Sequence, residues 1–230
     1  PKFGGKGGNQ ALAVARAGVA CRMFGAVGAD AFGGFLRTAL RAGGVDDTHV
    51  ATLPNLGSGI SVAIQDAKGD YAAVIVSGAN LQIGAGRIAD PPLWQDVRLL
   101  ILQNEVPEAV NRAAAHEARS RGVRTLLNAA AARALSADLV PLVDVLVVNA
   151  VEAEAMGAAP VTTLPDAAMA ARRLSKRFET VIVTAGSKGL AWVSGGDAQL
   201  LPAEKVVAVS SHGAGDAFIG TLGAALARGA

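Results

Sequence analysis

Five short apolar runs, each with polar residues at or just beyond its carboxyl end and helical pattern between, constrain this chain more than any other feature. The runs are Arg98–Gln103, Arg124–Asn128, Val143–Val148, Thr180–Thr184 and Lys205–Val209. Helical pattern falls around Glu108–Arg121, Ser136–Pro141, Glu152–Met156 and Pro165–Phe178. A strand buried on both faces loses its polar alternation and reads as a continuous apolar run. Repeated strand and helix in turn predict an α/β fold, a parallel sheet with helices covering it. The polar residues then gather where such sheets bind ligands, at the carboxyl ends of the strands. They are Glu105, Asn128, Asn149 with Glu152, Thr184 with Gly186, and Asp216.

Bulk properties narrow the function classes. At 230 residues, 51% of them hydrophobic, the chain has enough apolar material for one main globular unit. A net charge of +2 from scattered basic residues, with 4% aromatics, gives neither an electrostatic footprint nor a stacking surface for nucleic acid. The single cysteine, Cys21, excludes an internal disulfide and reads as a small buried hydrophobe in a reducing compartment. No apolar run has membrane-spanning length, and Pro1–Gly5 lacks the apolar core of a signal peptide. The expectation is a cytoplasmic protein without membrane or nucleic-acid partners.

The first half is patterned differently. Gly4-Gly5-Lys6-Gly7-Gly8 is a bare opening, and Asn9 is placed to cap a small-residue helix, Gln10–Ala17, closed by Gly18. It is not a P-loop, because Gly rather than Ser or Thr follows Lys6. A strand over Arg22–Val27, a turn at Gly28-Ala29-Asp30 and a helix from Phe32 to Arg41, stopped by Gly43-Gly44, come next. Two β-type runs, Ile60–Ile64 and Ala72–Val76, flank the turn Asp66–Asp70 and predict a β-hairpin apart from the main sheet, a candidate lid over residues 52–77.

Each polar stretch has a chemical and a plain reading. Ser210-Ser211-His212-Gly213-Ala214-Gly215-Asp216 joins an apolar run to a helix. Its small residues leave backbone N–H groups free at a helix entrance that favours an anion, with Asp216 alongside as a proton acceptor. The plain reading is a glycine-rich turn with Asp216 as a first-turn carboxylate. Asn149 and Glu152 have the spacing of a capping box and also of a phosphate or Mg²⁺ site. Thr184-Ala185-Gly186-Ser187-Lys188-Gly189 is either a phosphate cradle or a turn into the next strand. Glu105, right after an apolar strand, is placed to accept sugar hydroxyls or simply to face solvent. His212 neighbours the cradle, where a charge would act near neutral pH. His49 and His116 read as surface residues, and Trp94 and Trp192 as packing residues.

Taken together and in order, these stretches resemble the ribokinase, or PfkB, family of carbohydrate kinases. The resemblance is carried by Gly4-Gly5-Lys6-Gly7-Gly8-Asn9-Gln10-Ala11, Val27–Gly33, Asn128–Ala132, Asn149–Glu152 and Gly213–Asp216. It implies a three-layer αβα sandwich around a mostly parallel sheet, with a small β lid that also serves as a homodimer interface. It implies Asp216 as the base for a sugar's primary hydroxyl, and Gly213, Ala214 and Gly215 as the anion hole. Gly5, Lys6, Asn9 and Glu105 match sugar-contacting positions. Asn149 and Glu152 match the Mg²⁺–phosphate motif, Glu152 acting through water. Thr184, Gly186 and Gly189 match the nucleotide loop, with Asn149, Gly213 and Gly215 also toward ATP. The implied reactants are ATP, Mg²⁺ and a small sugar. The lysine-containing opening favours ribose; fructose, 2-keto-3-deoxygluconate, nucleosides and a non-catalytic binding role are the alternatives. Ser210 stands where the family has an Asp of a monovalent-cation (K⁺) site, and Ala150 where many ribokinases have Glu. Against the family pattern, the 230 residues form one domain that starts after the usual first strand and ends soon after the Asp216 helix.

Overall fold

The computed structural model describes residues 2–65, 71–207 and 213–229. Its contacts divide the chain into two compact units, Pro1–Gln95 with Glu105–Pro107 and Gly213–Ala230, and Asp96–Asn104 with Glu108–His212. The first unit opens with helix α1 (Lys6–Arg16), strand β1 (Cys21–Gly28), helix α2 (Ala31–Ala42) and strand β2 (Val45–Leu53). Strands β3 (Ile60–Gln65) and β4 (Tyr71–Val76) and the short helix α3 (Pro91–Trp94) follow. Strands β1 and β2 pair in parallel, and β3 and β4 form an antiparallel hairpin in a separate two-stranded sheet. Ala11 and Leu12 of α1, Val27 of β1, Leu40 of α2, and Val45 and Val50 of β2 make the buried cluster that binds these elements.

The second unit holds β5 (Leu99–Gln103), α4 (Glu108–Ser120), β6 (Arg124–Asn128), β7 (Val145–Asn149), α5 (Ala150–Ala155) and α6 (Leu164–Leu174). It continues through β8 (Thr180–Thr184), β9 (Gly189–Ser194) and β10 (Gln199–Pro202). These strands form one six-stranded sheet in the order β10-β9-β8-β7-β6-β5. Strands β5 to β8 run parallel, and β9 and β10 are added antiparallel at one edge. Leu126, Leu127, Leu146, Val148, Val181 and Val183 are fully buried, so the middles of β6, β7 and β8 are continuous apolar runs because water reaches neither face there, and their polar residues fall at the strand ends and at Thr125. This is the mostly parallel, helix-flanked α/β sheet that the apolar runs predict. The last helix, α7 (Ala214–Ala227), belongs to the first unit, where it packs on α1.

Several local readings change. Asn9 is not a cap: α1 starts at Lys6, with Gly5 at the N-cap in a positive-φ conformation (φ 86°). The apolar run at Lys205–Val209 predicts a strand, but residues 205–207 are not one, and Val206 and Val207 lie 78% and 98% exposed. Valine favours a strand only where a neighbouring strand supplies backbone partners, and the six-stranded sheet has none for these residues. Ala208, Val209, Ser210, Ser211 and His212, and the turn Asp66–Asp70, lie outside the described residues. His49 is half-buried in β2, and its Nδ1 is buried without a hydrogen-bond partner, so it is not a plain surface residue. Cys21 packs against the α1–β1–β2 cluster, where burial pushes its thiol up to about 11 and keeps it protonated. Trp94 is a packing residue whose indole N–H donates to the Ile88 carbonyl.

Two polar knots fix the first unit. Asp30 caps α2 by accepting the Gly33 N–H at 2.7 Å, and also accepts the Ser58 N–H and hydroxyl at 2.8 and 2.6 Å. These bonds, the Ser58 hydroxyl foremost, hold the Asp30 carboxyl below the usual carboxylate range. Gly28 and Gly33 are needed there because a Cβ on either would lie 2.2 Å or less from a backbone oxygen. The stretch Val27–Gly33 thus ties α2 to the segment leading into the β3–β4 hairpin.

In the second knot, Asp47 has a side chain only 8% exposed and accepts from Arg37 Nε at 2.6 Å and Arg41 Nε at 2.9 Å. Arg41 first, then Arg37, draws its carboxyl below the usual range. The stabilisation is therefore complete above about pH 4, the ordinary carboxylate range, and is lost as the pH falls through the lower folded-state value. Asp47→Asn should cost about 1–3 kcal/mol at neutral pH. In thermal melts the gap from the native chain should close as the buffer is taken below about pH 4. A gap that widened on acidification would contradict this role.

Candidate active site

In the first unit, two helix N-termini and a strand-end carboxylate meet. Helix α1 begins without a side-chain cap of its own, and the Glu105 carboxylate fills that place, its Oε2 accepting the Lys6 backbone N–H at 2.8 Å. A carboxylate is well suited there, since the first turn of a helix leaves N–H groups unpaired and carries partial positive charge. Glu105 follows Asn104, which is anchored within the second unit: its N–H donates to the Ala130 carbonyl at 2.8 Å and its Nδ2 to the Ala131 carbonyl at 3.0 Å.

Helix α7 opens at Gly213 in the left-handed region (φ 78°), again without a side-chain cap. The first backbone bond of the helix runs from the Ala217 N–H to the Gly213 carbonyl, so Ala214, Gly215 and Asp216 precede the intrahelical ladder. Among the described residues, and apart from its own helix backbone and chain neighbours, no heavy atom lies within 4 Å of a Cβ built on Gly213 or Gly215, the kind of bare helix entrance that an anion can approach. Asp216 is half-buried on the first turn. Asn9 Nδ2 donates to its Oδ2 at 2.9 Å and Gln10 Nε2 to its Oδ1 at 3.0 Å. The structure therefore brings together Gly5, Lys6, Asn9, Glu105, Gly213, Ala214, Gly215 and Asp216, and adds Gln10, which sequence reasoning passes over. Its signal is present: with Ala11 and Val14 it lies on the buried stripe of α1, where a carboxamide must find a partner.

In the second unit, β7 ends at Asn149, which caps α5. Asn149 Oδ1 accepts the Glu152 N–H at 2.8 Å and Glu152 Oε2 accepts the Asn149 N–H at 2.9 Å, a complete capping box. Of the two readings the sequence leaves open, capping is thus visible in the geometry. Glu152 is only 7% exposed, and a single carboxylate fits Mg²⁺, which keeps most of its water shell and takes one or two carboxylates beside phosphate oxygens. The two roles are separable. Glu152→Gln keeps an acceptor for the Asn149 N–H and gives up only the charge at the helix N-terminus, so it should cost about 0.3–1 kcal/mol and leave the chain folded. If Glu152 also serves Mg²⁺ through water, the same variant should need about 10- to 100-fold more Mg²⁺ for equal turnover. Unchanged Mg²⁺ dependence would leave Glu152 a capping residue alone.

Thr184 ends β8, and Ala185–Lys188 turn back into β9, closed by the Ala185 N–H to the Gly189 carbonyl at 2.8 Å. Gly186 and Gly189 both have positive φ, 56° and 117°. At Gly189 a Cβ would lie 2.0 Å from the Leu201 carbonyl oxygen, so the passing β10 strand explains that glycine without any ligand. Gly186 has open space around it. Lys188 Nζ donates to the Thr162 carbonyl.

A carboxylate on the first turn of an uncapped helix offers the two kinds of group that phosphoryl transfer to a hydroxyl uses, an acceptor for a proton and N–H groups for charge on phosphate oxygens. That defines a class, the hydroxyl-directed phosphotransferases on an α/β scaffold. Comparison with known proteins takes the assignment further. The model of the pfkB family of carbohydrate kinases matches residues 2–230. The ribokinase of Haemophilus influenzae is 33% identical over 228 residues, covering 97% of this chain and 74% of that protein. The deoxyribokinase of Salmonella typhi is 34% identical over 222 residues, covering 94% of this chain and 72% of its own. The structure of Arabidopsis thaliana ribokinase complexed with ribose and ATP superposes with a TM-score of 0.88 at 26% identity, covering 98% of this chain and 75% of that one. The chain belongs to the pfkB family of carbohydrate kinases, and is a sugar kinase phosphotransferase. Among the described residues, no helix is long and apolar enough to cross a membrane.

Proposed function

We propose that the chain transfers the γ-phosphate of Mg-ATP to the primary hydroxyl of a small sugar, ribose before other pentoses. The observation that carries this reading is Asp216, held by Asn9 and Gln10 at the open N-terminus of α7. In the reaction the sugar hydroxyl gives its proton to Asp216, its oxygen bonds to the γ-phosphorus, and the bond to the β-phosphate oxygen breaks to release ADP. The N–H groups that follow Gly213 take the charge developing on the transferring group, a role in which preorganised donors outperform water. Gly5, Lys6, Asn9 and Glu105 bind the sugar. Asn149 and Glu152 serve the Mg²⁺–phosphate end, and Thr184, Gly186 and Gly189 the nucleotide, with Asn149, Gly213 and Gly215. Bound Mg²⁺ would neutralise phosphate charge; K⁺ has no part in the proposal.

Similarity to both a ribokinase and a deoxyribokinase makes the 2-hydroxyl the point of discrimination. The hairpin β3–β4 acts as the lid and as the contact with a second copy. Supporting this, Val62, Val74, Ile75 and Val76 are apolar and between 49% and 69% exposed. The test is ADP release with Mg-ATP across ribose, 2-deoxyribose, fructose, 2-keto-3-deoxygluconate and adenosine. The reading expects the highest kcat/KM for ribose. A higher value for another acceptor reassigns the substrate, and binding of sugar and ATP without ADP release overturns the kinase reading in favour of a binding protein.

A further inference from the structure

We propose that Gln10 is a positioning residue for Asp216, and that Asn9 and Gln10 act as a two-amide clamp fixing the plane of the carboxylate that takes the sugar proton. This rests on the kinase reading above and adds a residue to it. Consecutive residues of a helix project about 100° apart, so two neighbours seldom share a target. Here they do: Asn9 Nδ2 reaches Oδ2 at 2.9 Å and Gln10 Nε2 reaches Oδ1 at 3.0 Å. One donor on each oxygen removes rotation about the last side-chain bond and leaves a lone pair on each oxygen for a substrate hydroxyl.

The two amides are not equivalent. Asn9 is half-buried, whereas Gln10 is 1% exposed, so water cannot replace its bond to the carboxylate. The backbone beneath is equally constrained. Gly220 of α7 lies so close to α1 that a Cβ there would come within 2.8 Å of the Gln10 carbonyl oxygen and the Val14 nitrogen. The spacing of the two helices is therefore set by backbone contact, and the Gln10 side chain spans a fixed gap. Reactions of this kind depend steeply on placement, so freeing one side of the base should lower the chemical step while leaving sugar binding nearly intact.

The experiment uses Gln10→Met, of similar length without the amide, Gln10→Glu, the doubly substituted Gln10→Met/Asp216→Asn, and the single Asp216→Asn. Gln10→Met is expected to lower kcat about 10- to 100-fold with the sugar KM within about twofold. Gln10→Glu, which sets one carboxylate against another, should lower it further. Once Asp216 is gone there is nothing left to position, so the double variant should be no slower than Asp216→Asn; a merely structural Gln10 would add its own loss. A second readout does not require turnover. The Gln10 side-chain amide signals in ¹H–¹⁵N NMR should be shifted and slow to exchange in the native chain, and should lose both properties in Asp216→Ala. If the native chain shows no turnover, the kinase reading fails while the clamp is still judged by the amide signals. Native kcat in Gln10→Met, full additivity in the double variant, or Gln10 signals indifferent to Asp216→Ala would each overturn the clamp.

Discussion

Asp216→Asn should yield a folded chain whose kcat has dropped about 10²- to 10⁴-fold, the usual contribution of a general base. The substitution keeps shape and removes the proton acceptor. It also turns one oxygen into an NH₂ group that must face one of two amide donors, Asn9 at 2.9 Å or Gln10 at 3.0 Å. That mismatch should cost about 1–3 kcal/mol of stability, less than the roughly 5–15 kcal/mol by which folded proteins are usually stable. Circular dichroism and a thermal melt establish the fold, and ADP release measures the loss. A folded Asp216→Asn chain with native kcat would remove Asp216 from the chemistry.

Gly220→Ala should be strongly damaging for so small a substitution in the first unit. Its Cβ would lie 2.3 Å from the Ala13 Cβ, 2.8 Å from the Gln10 carbonyl oxygen and 2.8 Å from the Val14 nitrogen. Two of those are backbone atoms, so no side-chain rotation relieves the clash and α7 must draw away from α1. Overpacking of this kind costs about 1–3 kcal/mol and occasionally more. The same displacement stretches both bonds to Asp216, so turnover should fall together with the melting temperature. Gly34→Ala is the control. It lies exposed on α2 with nothing within 4 Å of its Cβ, and removing a helix-interior glycine should be neutral or stabilise by about 0.5–1 kcal/mol. Equal melting temperatures for Gly220→Ala and Gly34→Ala would contradict the close approach of α1 and α7.

What can be read from residues alone follows from how each element is buried. Strands β6 and β8 are bounded to the residue because a parallel strand covered on both faces has a continuous apolar centre, Leu126-Leu127 and Val181-Ile182-Val183 here, and polar residues mark its ends. Strand β2 is not, because Asp47 stands at an inward position between Val45 and Val50, and only Arg37 and Arg41, on a different element, make a carboxylate tolerable there. Strand β10 escapes for the opposite reason: all four of its residues are exposed at a sheet edge, so nothing in its pattern marks burial. The α1 start is misplaced at Asn9 because local capping preference assigns that side chain to its own helix, while a carboxylate 207 residues away claims it. Glu105 likewise caps a helix 99 residues distant. Pairings of that range leave no local trace; a buried glutamine such as Gln10 only announces that a partner must exist.

The most direct test of the account is the product formed when the chain is given Mg-ATP and ribose, followed by ³¹P NMR beside a reaction containing 5-deoxyribose. A base at Asp216 acting on a primary hydroxyl predicts stoichiometric ADP and a phosphate ester on the terminal carbon of ribose, with no ester from the analogue that lacks that hydroxyl. Ester formation on 5-deoxyribose, or ADP with free phosphate and no sugar ester, would contradict it.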